Sequence, residues 1–330
     1  MRRLLLACLS ATVFAGAANA ADWQLHKINA PARVVAVDTT GGEVRVNAGD
    51  LWYRVVLDGG KAELKFIDTP AKTELPADAL PDGRIATGTH DIARAWLAQP
   101  TGRYDHGIFG DKIEAGALVV ETADGKRQEV KLDNDAVFED LEPRIADLDG
   151  NGRDEIVVVK SYLKRGSALA VIGERRGRYQ IIAETPPLGA AHRWLDPAGI
   201  ADFTGDGKLD IALVRQPHVV GMLELWRFTG NALRKIAEMP DAANHIAGTR
   251  AIDMAAVADF DGDGIGDIAV PSLDRKSLRI VSFAPAPREI ANMLLPAKAE
   301  TNFGLVRDGK GFALVFGLAD GSLMALRQGP

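Results

Sequence analysis

Short apolar runs recur along this chain, each closed by glycine, proline or charge. Residues 156–159, 211–214 and 268–270 are wholly apolar. About a dozen residues after each comes a second run, at 169–172, 223–228 and 278–283, and then a third, at 179–183, 233–237 and 289–294. Runs of this length between turn residues predict strands, and no amphipathic stretch of ten or more residues after position 20 predicts a helix. Weaker copies flank the three clear units. Residues 33–38, 44–47, 51–57 and 63–67 predict a compact first unit, and 85–93, 116–122 and 128–132 a second. Residues 303–306, 312–317 and 323–326 predict a last unit with only three strands. The segment 68–81, rich in Pro, Ala and Asp, reads as a surface loop.

A small antiparallel sheet of about four strands cannot bury both faces alone, and radial stacking solves the problem. The expected fold class is therefore all-β: a β-propeller of four-stranded antiparallel blades, about six in number, with five or seven possible. Residues 23–28 would supply the missing strand of the last unit, so that the N- and C-terminal strands pair and no sheet edge stays open.

Ahead of each clear strand lies an acidic loop. Asp259, Asp261, Asp263 and Asp267 occupy positions 1, 3, 5 and 9 of DFDGDGIGD. Asp147, Asp149, Asn151 and Glu155 stand in the same frame, and so do Asp202, Thr204, Asp206 and Asp210. The first aspartates are 55 and 57 residues apart, a repeat-array period. Glycines at positions 4 and 6 let the backbone curl. Alternating carboxylates on a curled loop converge on one point, where their repulsion calls for a cation. Ca²⁺, a hard ion taking six to eight oxygens, suits the array, with the carbonyls of Arg153, Lys208 and Ile265 at position 7 as further ligands. An EF-hand needs a Glu at position 12 and a following helix. Here position 12 is Val158, Leu213 or Val270, and strand follows. The second loop, with Thr204 in place of a carboxylate, is expected to be the weakest of up to three structural sites. Asp154 is expected to point away from the first.

On these three segments the chain resembles the FG-GAP/VCBS-repeat β-propellers, the class that includes the N-terminal propeller of integrin α chains. The resemblance implies Ca²⁺ bound at loops 147–155, 202–210 and 259–267 in a structural role. The first, second and last units lack a complete loop, and no metal residues carry over to them. Family members include adhesion and carbohydrate-binding proteins and a few polysaccharide lyases, so the resemblance leaves activity open.

The first twenty residues read as a signal peptide. Arg2 and Arg3 precede an apolar stretch over 4–16, and Ala18-Asn19-Ala20 is a small-x-small cleavage site. That stretch is too short and Ala-rich to span a bilayer well, and no later one is long enough. Residues 21–330 are then a single periplasmic or secreted domain, expected to be a monomer. The lone cysteine, Cys8, falls inside the signal, so the mature chain has no disulfide and calcium would serve as its staple. Loss of Arg2 and Arg3 takes the net charge from −6 to −8. An acidic surface argues against nucleic acid as a partner and suits bound cations.

Function is less legible. No Ser nucleophile elbow, His-Glu-x-x-His motif or phosphate loop is present. His192, Arg193, Trp194, His245 and Arg250 lie in the links entering two blades. Such links gather on one face, where these residues would bind an anion or sugar, or simply pack. His26, His90, His106 and His218 show no partner pattern. Two readings stand: a non-enzymatic module binding a protein or glycan, and a carbohydrate-active enzyme drawing carboxylates from distant blades, with Glu139, Asp140 and Glu142 near one blade entry as first candidates.

Overall fold

A computed structural model describes residues 23–309 and 311–328. The expected signal peptide, residues 1–20, lies outside the described residues. The described chain is built almost wholly of antiparallel strands, with one short 3₁₀ turn at Thr40–Gly42. None of its helices is long and apolar enough to cross a membrane.

Strand β1 (Trp23–Ile28) opens the chain. Strands β2 (Val34–Asp38), β3 (Arg45–Ala48), β4 (Leu51–Asp58) and β5 (Lys61–Ile67) form a four-stranded meander. Next come β6 (Ala86–Thr87), β7 (Ile92–Thr101), β8 (Glu114–Thr122), β9 (Arg127–Lys131) and β10 (Ala136–Phe138). Then follow β11 (Arg144–Ala146), β12 (Glu155–Tyr162), β13 (Gly166–Arg175) and β14 (Arg178–Glu184). Strands β15 (Leu195–Ala201), β16 (Asp210–Arg215), β17 (Met222–Phe228) and β18 (Leu233–Met239) make a separate sheet. So do β19 (Ala256–Ala258), β20 (Asp267–Pro271), β21 (Ser277–Ser282) and β22 (Arg288–Leu294). The last strands, β23 (Gly304–Arg307), β24 (Phe312–Gly317) and β25 (Leu323–Gln328), are joined by β1, which pairs antiparallel with β25 from Trp23↔Gln328 to Ile28↔Leu323.

One feature departs from the expected separate units. The β6–β9 and β11–β14 groups form one nine-stranded sheet, because β10 bridges them. It pairs with the far end of β12 (Phe138↔Lys160) and touches β8 at Ala115. The loop 68–81 is also not wholly superficial, since its end drives Ala79 and Leu80 into the core and bridges Ala79 to Ala98.

The second and third strands of the middle groups are buried along nearly their whole length, as β12 and β13 show. That burial requires cover on both faces, and it explains why these strands read as continuous apolar runs rather than alternating ones. Apolar clusters supply the cover by joining successive groups. One unites β7–β8, β12–β13 and β16. Others join β16–β17 to β20–β21, the β19–β22 sheet to the terminal sheet, and the terminal sheet to β2–β4. Polar links run between distant segments as well. Asp253, ahead of β19, accepts from Arg84 (2.7 Å) ahead of β6 and from Thr39 (3.3 Å) after β2. Its amide donates to Asn302 (3.1 Å) ahead of β23.

The acidic loops are pinned to this core through their second residue. Leu148, Phe203 and Phe260 are buried. Phe260 meets Trp23 of β1 at 5.2 Å and Phe312 of β24 at 5.2 Å, ring to ring, so one loop is tied directly to the terminal sheet. Phe260→Ala is expected to lower the unfolding free energy by about 3–5 kcal/mol, measured by urea denaturation. A loss below about 1 kcal/mol would contradict this anchoring.

Candidate functional site

Each acidic loop connects the first and second strands of its group, and the backbone is folded the same way in all three. Glycines at positions 4 and 6 adopt left-handed φ: 73° and 83° at Gly150 and Gly152, 75° and 79° at Gly205 and Gly207, 81° and 84° at Gly262 and Gly264. L side chains rarely tolerate that region. The curl turns loop amides inward onto the first aspartate. Asp259 accepts from Gly262 (2.7 Å) and Gly264 (2.9 Å), Asp202 from Gly205 and Gly207 (2.7 Å each), and Asp147 from Asn151 (3.0 Å) and Gly152 (2.8 Å).

In the first and third loops the ninth residue folds back to cap the second. Glu155 accepts from the Leu148 amide (3.0 Å) and Asp267 from the Phe260 amide (2.9 Å). This gathers Asp147, Asp149 and Glu155 in one set, and Asp259, Asp261 and Asp267 in another, with one oxygen from each residue of a set within 4.8 Å of the others. Burial, with the charges of Asp149 and Asp147, pushes Glu155 up to about 7. Burial, with Asp261 and Asp263, pushes Asp267 up to about 6. Asp267 Oδ1 is buried without a hydrogen-bond partner. A buried carboxylate oxygen without a partner is costly, and the three oxygens gathered in each of these two loops could hold a hard divalent cation. Arg288 already reaches Asp261 Oδ2 (2.6 Å) beside the third loop. As expected, Asp154 turns away from the first loop, accepting from the His90 and Ile92 amides (2.9 and 3.3 Å) and meeting the His90 ring.

The second loop is different in kind. The guanidinium of Arg227, paired with Asp210 across β16 and β17, lies among its oxygens. Nε donates to Asp210 Oδ1 (2.6 Å) and Nη2 to Asp210 Oδ2 (2.9 Å) and Thr204 Oγ1 (2.9 Å). Both terminal nitrogens also reach Asp206, at 2.5 and 3.2 Å. An internal cation thus holds Asp206, Asp210 and Thr204, and a metal does not fit there as well. Thr204 alone signals a weaker site in the sequence; Arg227, seventeen residues beyond Asp210, does so only through the strand register.

The opposite end of the sheets carries four of the six histidines. The β7–β8 loop brings Tyr104, His106 and Phe109 against the segments before β15 and β19. His106 Nδ1 lies 2.6 Å from the buried Glu139, which also accepts from Ser161. His106 and His192 stack at 5.0 Å, and His192 sits at φ 62°. His218 Nε2 meets His245 Nδ1 at 3.1 Å, around Trp194. Burial lowers His218 to about 4 and His245 to about 3, so both are neutral.

Of the five residues expected to face a ligand, the fold brings Trp194 and His245 together at 4.8 Å, but both are buried. His192, Arg193 and Arg250 remain exposed. Arg193 donates to the Leu188 carbonyl (3.0 Å), and Arg250 bridges Asp82 (2.8 Å) and Asp111 (2.7 Å). His90, His106 and His218, which show no partner pattern in the sequence, each have a specific partner across the fold.

Residues 147–213 and 202–270 match the FG-GAP-like repeat. No curated protein matches the chain in sequence. Among solved structures, the rhamnogalacturonan lyase YesW is similar at 14% identity and a TM-score of 0.46, over 92% of this chain and 68% of that one. BBS1N in complex with ARL6DN is similar at 15% identity and a TM-score of 0.40, over 87% and 74%. The exotype rhamnogalacturonan lyase YesX is similar at 14% and 0.40, over 81% and 61%.

Two outcomes follow from these charges. Arg227→Gln leaves Asp210 buried beside Asp206 without its cation. In EGTA this is expected to cost about 3 kcal/mol of unfolding free energy, part of which millimolar Ca²⁺ restores. A cost below about 1 kcal/mol would contradict the role of Arg227. Separately, burial and the charges of Glu139, Asp111, Asp82 and Asp140 raise Glu114 far above its ordinary value of 4.5. The native state therefore keeps a proton that the unfolded chain releases above 4.5, and stability falls as pH rises from there. Glu114→Gln is expected to flatten that slope, which thermal midpoints across pH 5–9 read out. A variant profile parallel to the parent's would contradict it.

Proposed function

We propose that this chain, whose residues 147–213 and 202–270 are FG-GAP-like repeats, is an exported, calcium-stabilised β-propeller that acts as a non-enzymatic binding module for a protein or glycan. The observation behind the reading is the pair of three-carboxylate sets, each with its oxygens within 4.8 Å, on loops that repeat in register. All-oxygen donors of mixed exposure favour calcium over softer metals.

Six four-stranded blades in a closed ring is the architecture this reading adopts. The β1–β25 pairing and the Asp253 links to Thr39, Arg84 and Asn302 support it. Export is adopted from the signal-like residues 1–20, and the lack of any cysteine beyond Cys8 leaves calcium as the staple. One observation favours the enzyme reading: the buried Glu139 orients His106 as a carboxylate orients a general base. Release of cleaved glycan on incubation with cell-envelope polysaccharide would select that reading over the binding module.

The primary test is the thermal midpoint of residues 21–330 in millimolar Ca²⁺ and in EGTA. Each site is expected to add about 2.7 kcal/mol at a Ca²⁺ concentration 100 times Kd. The midpoint falls in EGTA, and the difference shrinks in an Asp149→Asn, Asp261→Asn double variant. Equal midpoints in the two buffers would refute calcium stabilisation.

A further inference from the structure

The three acidic loops differ in the positive charge that the protein itself sets against them. In the second, Arg227 is fully committed: Nε and both terminal nitrogens are bound by Asp206, Asp210 and Thr204, and the side chain is 18% exposed. Around the first, the arginines are engaged elsewhere. Arg153 pairs with Asp91 (3.1 Å) and Glu174 (2.5 Å). Arg175, which acts electrostatically on Glu155, donates to the carbonyls of Glu174 (2.9 Å) and Gly230 (2.6 Å). The third loop lies between these extremes.

Arg288 opens β22, opposite Ser282 of β21, and β22 is the last strand of its sheet. From there its Nη2 donates to Asp261 Oδ2 at 2.6 Å and comes within 4.0 Å of Asp263 Oδ2. Asp261 belongs to the set whose oxygens lie within 4.8 Å of one another, with Asp259 and Asp267. The grip is one-handed, because Nη1 is buried and has no hydrogen-bond partner. A buried donor without a partner has lost water and gained nothing, so the contact is held against that cost. The Arg288 side chain is 39% exposed, against 18% for Arg227. A long side chain that already meets water can swing out by rotamer changes alone, with no movement of its strand.

We propose that Arg288 is a displaceable counter-charge: it balances Asp261 while no ion is bound in the third loop, and it leaves for solvent when a divalent cation is held there. A guanidinium at this distance repels a second cation and engages a carboxylate oxygen of the donor set. Arg288 therefore lowers the affinity of the third loop for calcium, a control that no arginine imposes on the first. Arg227 cannot act in the same way. Its departure would strip Asp206, Asp210 and Thr204 of their partner at once, and Asp210 is fully buried. The inference rests on the calcium reading and adds a control on one of its sites.

The test is calorimetric titration of residues 21–330 with Ca²⁺, in the parent chain and in an Asp147→Asn background that isolates the third loop. Arg288→Gln in that background is expected to tighten Ca²⁺ binding about tenfold, the scale of one hydrogen bond to a charged group. Unchanged affinity overturns the proposal. So does weaker binding, which would mean that Arg288 orients Asp261 for the ion. A second measurement needs no variant. Phenylglyoxal labelling of the parent chain, read by mass spectrometry, is expected to rise at Arg288 at saturating Ca²⁺ and not at Arg227. Labelling of Arg288 that stays level or falls also overturns the proposal. The parent titration reports the calcium reading separately. Ions bound at the first loop, with no effect of Arg288→Gln at the third, sink this proposal alone, whereas no bound ion in any of the chains sinks both.

Discussion

Three times along the chain, carboxylates are drawn together at the point where a first strand hands over to a second, and the charge gathered there has to be balanced. The position-1 aspartate is spent on the loop's own amides, and the position-9 acid is held at the start of a buried strand. Neither can move into water without undoing the turn. Repulsion at such range in a partly buried place is large enough to open the loop unless a positive group enters. In the second loop that group is built in, as the Arg227 guanidinium. In the first and third, the acid at position 9 is pushed up toward its protonated form, Arg288 reaches Asp261 of the third, and the gathered oxygens of each could hold a cation.

Much of the architecture hangs on these turns. Their second residues, Leu148, Phe203 and Phe260, enter the core, so loop geometry and sheet packing stand or fall together. Phe260 carries the connection on to Trp23 and thereby to the strand that pairs with the chain's last. At the other end of the sheets, loops free of this constraint hold the His106–Glu139 and His218–His245 pairs. The two ends thus separate labour: one end balances charge, and the other gathers histidines and aromatic rings.

The strand pattern and the loop spacing were legible because both are local. Buried runs such as 156–159 and 211–214 show their strands directly, and glycines at fixed loop positions announce left-handed turns. The pairing of residues 23–28 with the last strand followed from counting strands in the final unit. What escaped the sequence depends on partners far apart in it. Arg227 enters the second loop through strand register, and β10 bridges two groups through three residues that look like linker. Glu139 meets His106 across 33 positions, and Asp253 meets Arg84 across 169. No spacing rule reaches such pairs.

The central claim is that two loops are balanced by bound calcium and the third by the protein's own guanidinium. Equilibrium dialysis of residues 21–330 against ⁴⁵Ca²⁺ counts the ions directly. Two equivalents bound, falling to none when Asp147 and Asp259 are both replaced by Asn, is the result this account requires. Three equivalents in the parent chain would mean that Arg227 does not fill the second loop, and none would mean that the carboxylates are balanced without metal.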